Sequence, residues 1–209
     1  MSQRPEFAVG QLAGSMQQGY LSHHAAMAVV RDPRAAQILP PTGKNVPEGI
    51  VHGSGGEIRI VYDFRHFLAD ATRLTREEEY DRVWLTGALM TLGDALRQHA
   101  YFDRAPELEL IRHLRNAVGH GNRFRIDSPA SLAKFPAHTR DAEPQPGNNR
   151  GGYIEITPSL HGKPCLFDYI EAWELVTLFQ AVGGYLRRLA DGPPGHGDST
   201  KHSRTSRGN

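Results

Sequence analysis

The sequence predicts a mainly α-helical protein, and three observations carry that expectation. Leu85, Leu89, Leu92 and Leu96 recur at spacings of three and four, as do Ile170, Trp173, Val176, Phe179, Val182, Leu186 and Leu189. Two helix starts have capping-box form, Thr75-Arg76-Glu77-Glu78 and Asp168 with Glu171, in which paired side chains satisfy free amides of the first turn. With 39% hydrophobic residues among 209, the chain can bury one substantial core. A single domain over residues 1–190 is therefore expected, with the Gly, Pro and Ser-rich stretch 191–209 as a disordered tail.

In chain order, Phe7 to Val30 reads as helix, ended by Asp32-Pro33. Residues 40–56 hold so many Pro and Gly that a loop is expected. From Glu57 to Leu74 a short strand at Ile58, Ile60 and Tyr62 gives way to helix. A long helix follows from about Arg76 to Ala100. Asp103 is placed to cap the next one, Pro106 fits its first turn, and Leu110, Ile111, Leu114, Ala117 and Val118 form its apolar arc before Gly119 and Gly121 stop it. Residues 128–152 turn to Pro, Gly, Asn and charge and read as a mobile insertion. Tyr153 to Phe167 then suggests a small β-hairpin around Leu160-His161-Gly162-Lys163-Pro164, before a last helix. Gly183-Gly184 inside that helix costs about 1 kcal/mol per glycine relative to alanine, which points to close approach by another helix.

The charges, 24 basic against 23 acidic, exclude a polyelectrolyte that coats nucleic acid, so any such contact must be local. The lone Cys165 excludes an intrachain disulfide and a cysteine-rich zinc site, and it reads as a buried small apolar residue. The absence of a signal-type start, or of about 18 successive apolar residues, leaves cytoplasm as the expected compartment and no membrane partner.

The chemistry concentrates in Arg115-Asn116-Ala117-Val118-Gly119-His120. At about 100° per residue, Arg112, Asn116 and His120 share one polar stripe, and Arg115 lies about 140° from His120 at the shoulder of the apolar arc. An arginine there is partly desolvated unless an acceptor is supplied. Guanidinium binds phosphate in bidentate fashion, and an imidazole transfers protons near neutrality. Arg97, Arg104, Arg112, Arg115, Arg123 and Arg125 outnumber the acids Asp103, Glu107 and Glu109 of the same stretch, so an anionic ligand is expected. Other constellations read more blandly. His113 and His120 lack the four-residue spacing of a paired-histidine metal site, His23-His24 read as surface residues without an acidic neighbour, and Ser54-Gly55-Gly56 reads as a turn. Neither a metal nor a cofactor is expected.

The segment Arg115 to His120 resembles the R-x4-6-H motif of the HEPN (higher eukaryotes and prokaryotes nucleotide-binding) superfamily. It ends a helix, follows a long amphipathic helix and precedes another across a variable insertion, and the resemblance covers Thr75 to Ala190. Gly162-Lys163-Pro164-Cys165-Leu166-Phe167 leading into Trp173-Glu174-Leu175 is similar to a plasmid-borne bacterial branch. The resemblance implies a HEPN-like helical bundle acting as a homodimeric, metal-independent endoribonuclease, a toxin or phage-defence component with RNA or a nucleotide as ligand and an antitoxin as candidate partner. His120 would be general base or acid, Arg115 the phosphate and transition-state binder, and Asn116 the group that orients His120 or the phosphate, with Arg112, Arg123 and Arg125 as backbone contacts. The alternative is a non-catalytic HEPN module for nucleotide or RNA binding or for dimerisation. The physical argument for two copies is independent: attack by a 2′-hydroxyl needs both a base and an acid, and one chain offers one motif histidine.

Overall fold

The computed structural model describes residues 4–32, 34, 48–63, 77–139 and 154–192. Helix α1 (Pro5–Arg31) is followed by strands β1 (Glu48–His52) and β2 (Ile58–Asp63), then by α2 (Glu77–Gln98), α3 (Pro106–Gly119), the short α4 (Pro129–Lys134) and α5 (Ala172–Asp191). The mainly helical fold agrees with the sequence. Among the described residues no helix is long and apolar enough to cross a membrane.

Helix α1 buries one narrow stripe, Val9, Ala13 and Tyr20, and packs chiefly against α5. The two backbones nearly touch: a Cβ at Gly183 would lie 3.2 Å from the carbonyl oxygen of Gly10, and one at Gly10 would lie 3.3 Å from that of Gly183. Gly183 thus explains the interrupted helix, whereas Gly184 faces only the Arg188 side chain. Arg4 Nη1 donates to the Ala190 carbonyl at 2.7 Å, satisfying an acceptor left free at the end of α5.

Helices α2 and α3 form the second seam. Leu85, Leu89, Leu92 and Leu96 are fully buried against an arc of Leu108, Ile111, Leu114 and Ala117. Burying each such leucine contributes about 1.5–3 kcal/mol, so this seam dominates the local energetics. Phe179, Val182 and Leu186 of α5 complete the same core.

Several expectations are corrected. Residues 48–52, read as loop, form β1, which pairs antiparallel with β2. Gly53, Gly55 and Gly56 lie in the turn between the strands, where Gly53 N–H donates to Glu57 O at 2.8 Å and Gly56 takes a φ of +82°. The hairpin expected before the last helix does not form as paired strands. Its segments make isolated bridges instead, Arg123 with Pro164 and His138 with Glu155. The start of the 128–152 insertion is ordered: Ser128 accepts from Ser131 N–H, Pro129 opens α4, and Leu132, Ala137 and His138 are buried. Residues 140–153, like the helix expected after Asp63 and the capping box at Thr75, fall outside the described residues.

Asp103 sits in a 3-10 turn and caps nothing; α3 begins at Pro106 behind Ala105. The last helix starts later than expected, because its capping box is Glu171 with Glu174. Trp173 therefore lies in the first turn, 41% exposed, with its ring N–H donated to Glu171 Oε2 at 2.6 Å.

Two glycine substitutions separate the packing role from helix propensity. Gly183→Ala should not show the gain in helix propensity that alanine normally brings, because its methyl group lies 3.2 Å from the Gly10 carbonyl oxygen and α1 must give by a few tenths of an ångström to admit it. Gly87→Ala, in α2 with nothing within 4 Å, should raise it by about 0.5–1 kcal/mol. Urea-unfolding midpoints of both variants measure the contrast.

Candidate functional site

The predicted segment occupies the last two turns of α3. His120 is its C-cap: the His120 N–H donates to Asn116 O and to Ala117 O, both at 3.1 Å, and its side chain is exposed. Gly121 and Asn122 then take positive φ, +73° and +60°, and reverse the chain. Asn122 fixes the reversal. Its Nδ2 donates to Leu166 O at 3.0 Å and its Oδ1 accepts Leu166 N–H at 2.8 Å. Cys165 N–H adds a bond to Asn122 O at 3.0 Å, and Phe124 N–H donates to Lys163 O at 3.0 Å. The segment 163–166 thus braces the end of the motif. Asn122 was missed in the sequence, although Gly-Asn directly after a helical arc signals a left-handed reversal.

Arg115 crosses onto α2. Its Cγ would lie 2.9 Å from a Cβ at Gly93, so the glycine makes the passage possible. Its Nε and Nη2 donate to a single oxygen, Asp94 Oδ1, at 3.1 and 2.6 Å. The acceptor demanded by the shoulder position is therefore Asp94. The pair lies at the surface, with 23% of the Arg115 side chain and 60% of the Asp94 side chain exposed. Asn116 is half-buried. Among the described residues, neither its amide nor the His120 imidazole has a side-chain hydrogen bond.

The other predicted phosphate contacts are engaged elsewhere. Arg112 Nε pairs with the buried carboxylate of Glu109, and both residues line a cavity of about 320 Å³ with Phe102, Asp103 and Phe135. Arg123 Nη1 donates to Gly162 O at 2.8 Å, and Arg125 Nε to Asp127 Oδ1 at 3.1 Å. Arg104 lies 3.8 Å from Glu6. Much of the positive patch is thus offset by acids outside the stretch where the sequence concentrates arginine; Arg97 is exposed without a partner among the described residues.

His113 and His120 do not form a site. His113 is mostly buried with its Nε2 unpartnered, and burial, reinforced by neighbouring Arg112, pushes its pKa down to about 4. The imidazole is neutral at pH 7. Burial alone pushes the Cys165 thiol up to about 12, which fits the apolar reading of that residue. No group of three or more His, Cys, Asp or Glu among the described residues is arranged to hold a metal. The reading of His23-His24 is corrected: Asp81, on another helix, approaches His24 Nε2 at 3.2 Å, and His23 stacks on Tyr80 with ring centroids 3.6 Å apart. Sequence distance hid that neighbour. Comparison of the chain with protein-family models, curated proteins and solved structures finds no match.

Asn122→Ala removes both side-chain bonds to the buried Leu166 and should cost about 2 kcal/mol or more, read as a lower urea midpoint. The His113 pKa, depressed from 6.5 to about 4, means that unfolding takes up a proton in this window. Its contribution is complete above pH 6.5 and is lost as pH falls toward 4, on the order of 1 kcal/mol for a partly accessible ring. Burial raises the Glu109 pKa, with Arg112 offsetting part of the rise, and this works in the opposite direction. Glu109 is common to the wild type and His113→Leu, so the variant's stability should fall less steeply between pH 6.5 and 4. Parallel profiles would remove His113 from the pH dependence.

Proposed function

We propose that the chain is a HEPN-type, metal-independent endoribonuclease that acts as a homodimer, as a toxin or phage-defence component of the cytoplasm held in check by an antitoxin. The observation that carries this reading is the pairing, on one helix end, of an exposed His120, whose imidazole has no hydrogen bond among the described residues, with a braced Arg115. An imidazole in that setting is open to substrate. Arg115 retains donors, because Asp94 takes only Nε and one N–H of Nη2, leaving the rest of the guanidinium for a phosphate.

In the proposed reaction, His120 of one protomer takes the proton from an RNA 2′-hydroxyl. The oxygen attacks phosphorus, and the bond to the 5′-oxygen breaks as His120 of the partner protonates it. The products are a 2′,3′-cyclic phosphate and a 5′-hydroxyl end. Arg115 offsets the charge that builds on the phosphoryl oxygens, and Asn116, one turn before His120, has an amide, unbonded among the described residues, with which to orient the imidazole or the phosphate.

A non-catalytic HEPN module that binds RNA or nucleotide, or serves dimerisation, is the second reading. It is favoured by the partners that Arg112, Arg115, Arg123 and Arg125 already have within the chain. An RNase assay in EDTA separates the two. Wild type should cleave single-stranded RNA to cyclic-phosphate ends, and His120→Ala should be slower by at least about 100-fold. Equal cleavage by His120→Ala would remove the histidine from the mechanism, and loss of wild-type cleavage in EDTA would sink the metal-free route.

A further inference from the structure

Two residues beside the motif belong to no part of the site described so far. Phe167 holds a φ of +67°, a left-handed conformation unfavourable for a bulky aromatic side chain. The surrounding bonds impose it: Phe167 N–H donates to Ile170 O at 2.7 Å, Tyr169 and Ile170 N–H both donate to Cys165 O, and Leu166 is clamped by Asn122. The ring is half-buried, and the Arg82 guanidinium of α2 lies over it, with Cζ 4.8 Å from the centroid. Arg82 is exposed and has no hydrogen bond or ion pair among the described residues. Asp168, next in sequence to Phe167, is exposed and does not pair with it. In this respect Arg82 differs from Arg104, Arg112, Arg115, Arg123 and Arg125.

The location is set by covalent and hydrogen-bonded neighbours. Asn122 follows His120 by two residues and binds Leu166, and Leu166 precedes Phe167. A guanidinium supported on an aromatic ring presents its outer face to solvent and keeps five N–H donors at its edge. Bases of single-stranded RNA stack on planar guanidinium groups and aromatic rings, and the sugar-phosphate chain accepts hydrogen bonds from the same edge. We propose that Arg82, laid over Phe167, is a stacking platform for a base of single-stranded RNA whose phosphate occupies the Arg115–His120 site. This inference rests on the ribonuclease reading and deepens it, since it concerns how the strand is seated.

The test uses the full-length chain and two labelled probes of equal length. One is a 2′-O-methyl oligouridylate, which cannot be cleaved by 2′-hydroxyl attack, and the other is its abasic ribose-phosphate counterpart. By fluorescence anisotropy, wild type should bind the base-bearing strand about tenfold more tightly than the abasic one. Arg82→Lys keeps the charge and loses the plane. Phe167→Gly removes the ring and suits the positive φ, so the turn should stay folded. Both variants should lose most of the preference while affinity for the abasic strand stays within about twofold, since its phosphate contacts remain. An unchanged preference in both variants overturns the platform, even where RNA cleavage and its loss in His120→Ala survive. Equal weakening for both probes reduces Arg82 to a charge and also overturns it. Wild type that neither binds the strands nor cleaves RNA removes both the platform and the ribonuclease reading.

Discussion

The contact between Gly93 and the stem of Arg115 joins the core to the surface chemistry. Four fully buried leucines of α2 meet the apolar arc of α3 and fix the two helices in register. In that register a side chain at position 93 would occupy the space through which Arg115 passes. Glycine inside a helix costs about 1 kcal/mol, and here it makes room for a long cation on the flank of the seam with Asp94 as its acceptor. Helix length and the reversal at Gly121 and Asn122 then determine where His120 emerges. The direction of the motif therefore depends on hydrophobic packing that does not touch it.

Electrostatics divides the arginines into two kinds. Arg104, Arg112, Arg115, Arg123 and Arg125 each have an acceptor within the chain. The pair of Arg112 with Glu109 is the most buried and needs that partner most, because a carboxylate out of water is costly unless it is paired. Exposed pairs such as Arg125 with Asp127 contribute little and exchange readily for another anion. Arg82, Arg97 and Arg187 are exposed without acceptors among the described residues. Net charge near zero is thus compatible with local cationic points, and their placement matters more than their number.

The helices were legible because their apolar periodicity survives in isolation: the leucines of α2 and Leu110, Ile111, Leu114 and Ala117 of the α3 arc are buried where the sequence places them, and Val118 is partly buried. Gly183 was legible for the same reason, as a costly residue in a helix that must have a packing cause. What escaped depends on pairing at long range. Nothing near His24 announces Asp81, and nothing near Arg115 announces Asp94, which lies one helix earlier. The hairpin was misplaced because alternating Ile154 and Ile156 looks like a strand, whereas its backbone partners are residues 137–139. Glycine density around residue 55 hid a real hairpin by resembling a featureless loop.

The exposure of His120 bears on the mechanism beyond the presence of the motif. Proton-transferring histidines are held in one tautomer and orientation by a third group, usually a carboxylate or carbonyl on the far ring nitrogen. Among the described residues the His120 ring has no such group, and the nearby Asn116 amide is also unbonded. On the ribonuclease reading, the orientation must therefore come from the substrate or from a second copy of the chain. A partner would supply the second proton-transfer group and restrict the first imidazole at once, and the polar stripe of Asn116 and His120, too hydrophilic to be a core face, would become the wet centre of an interface.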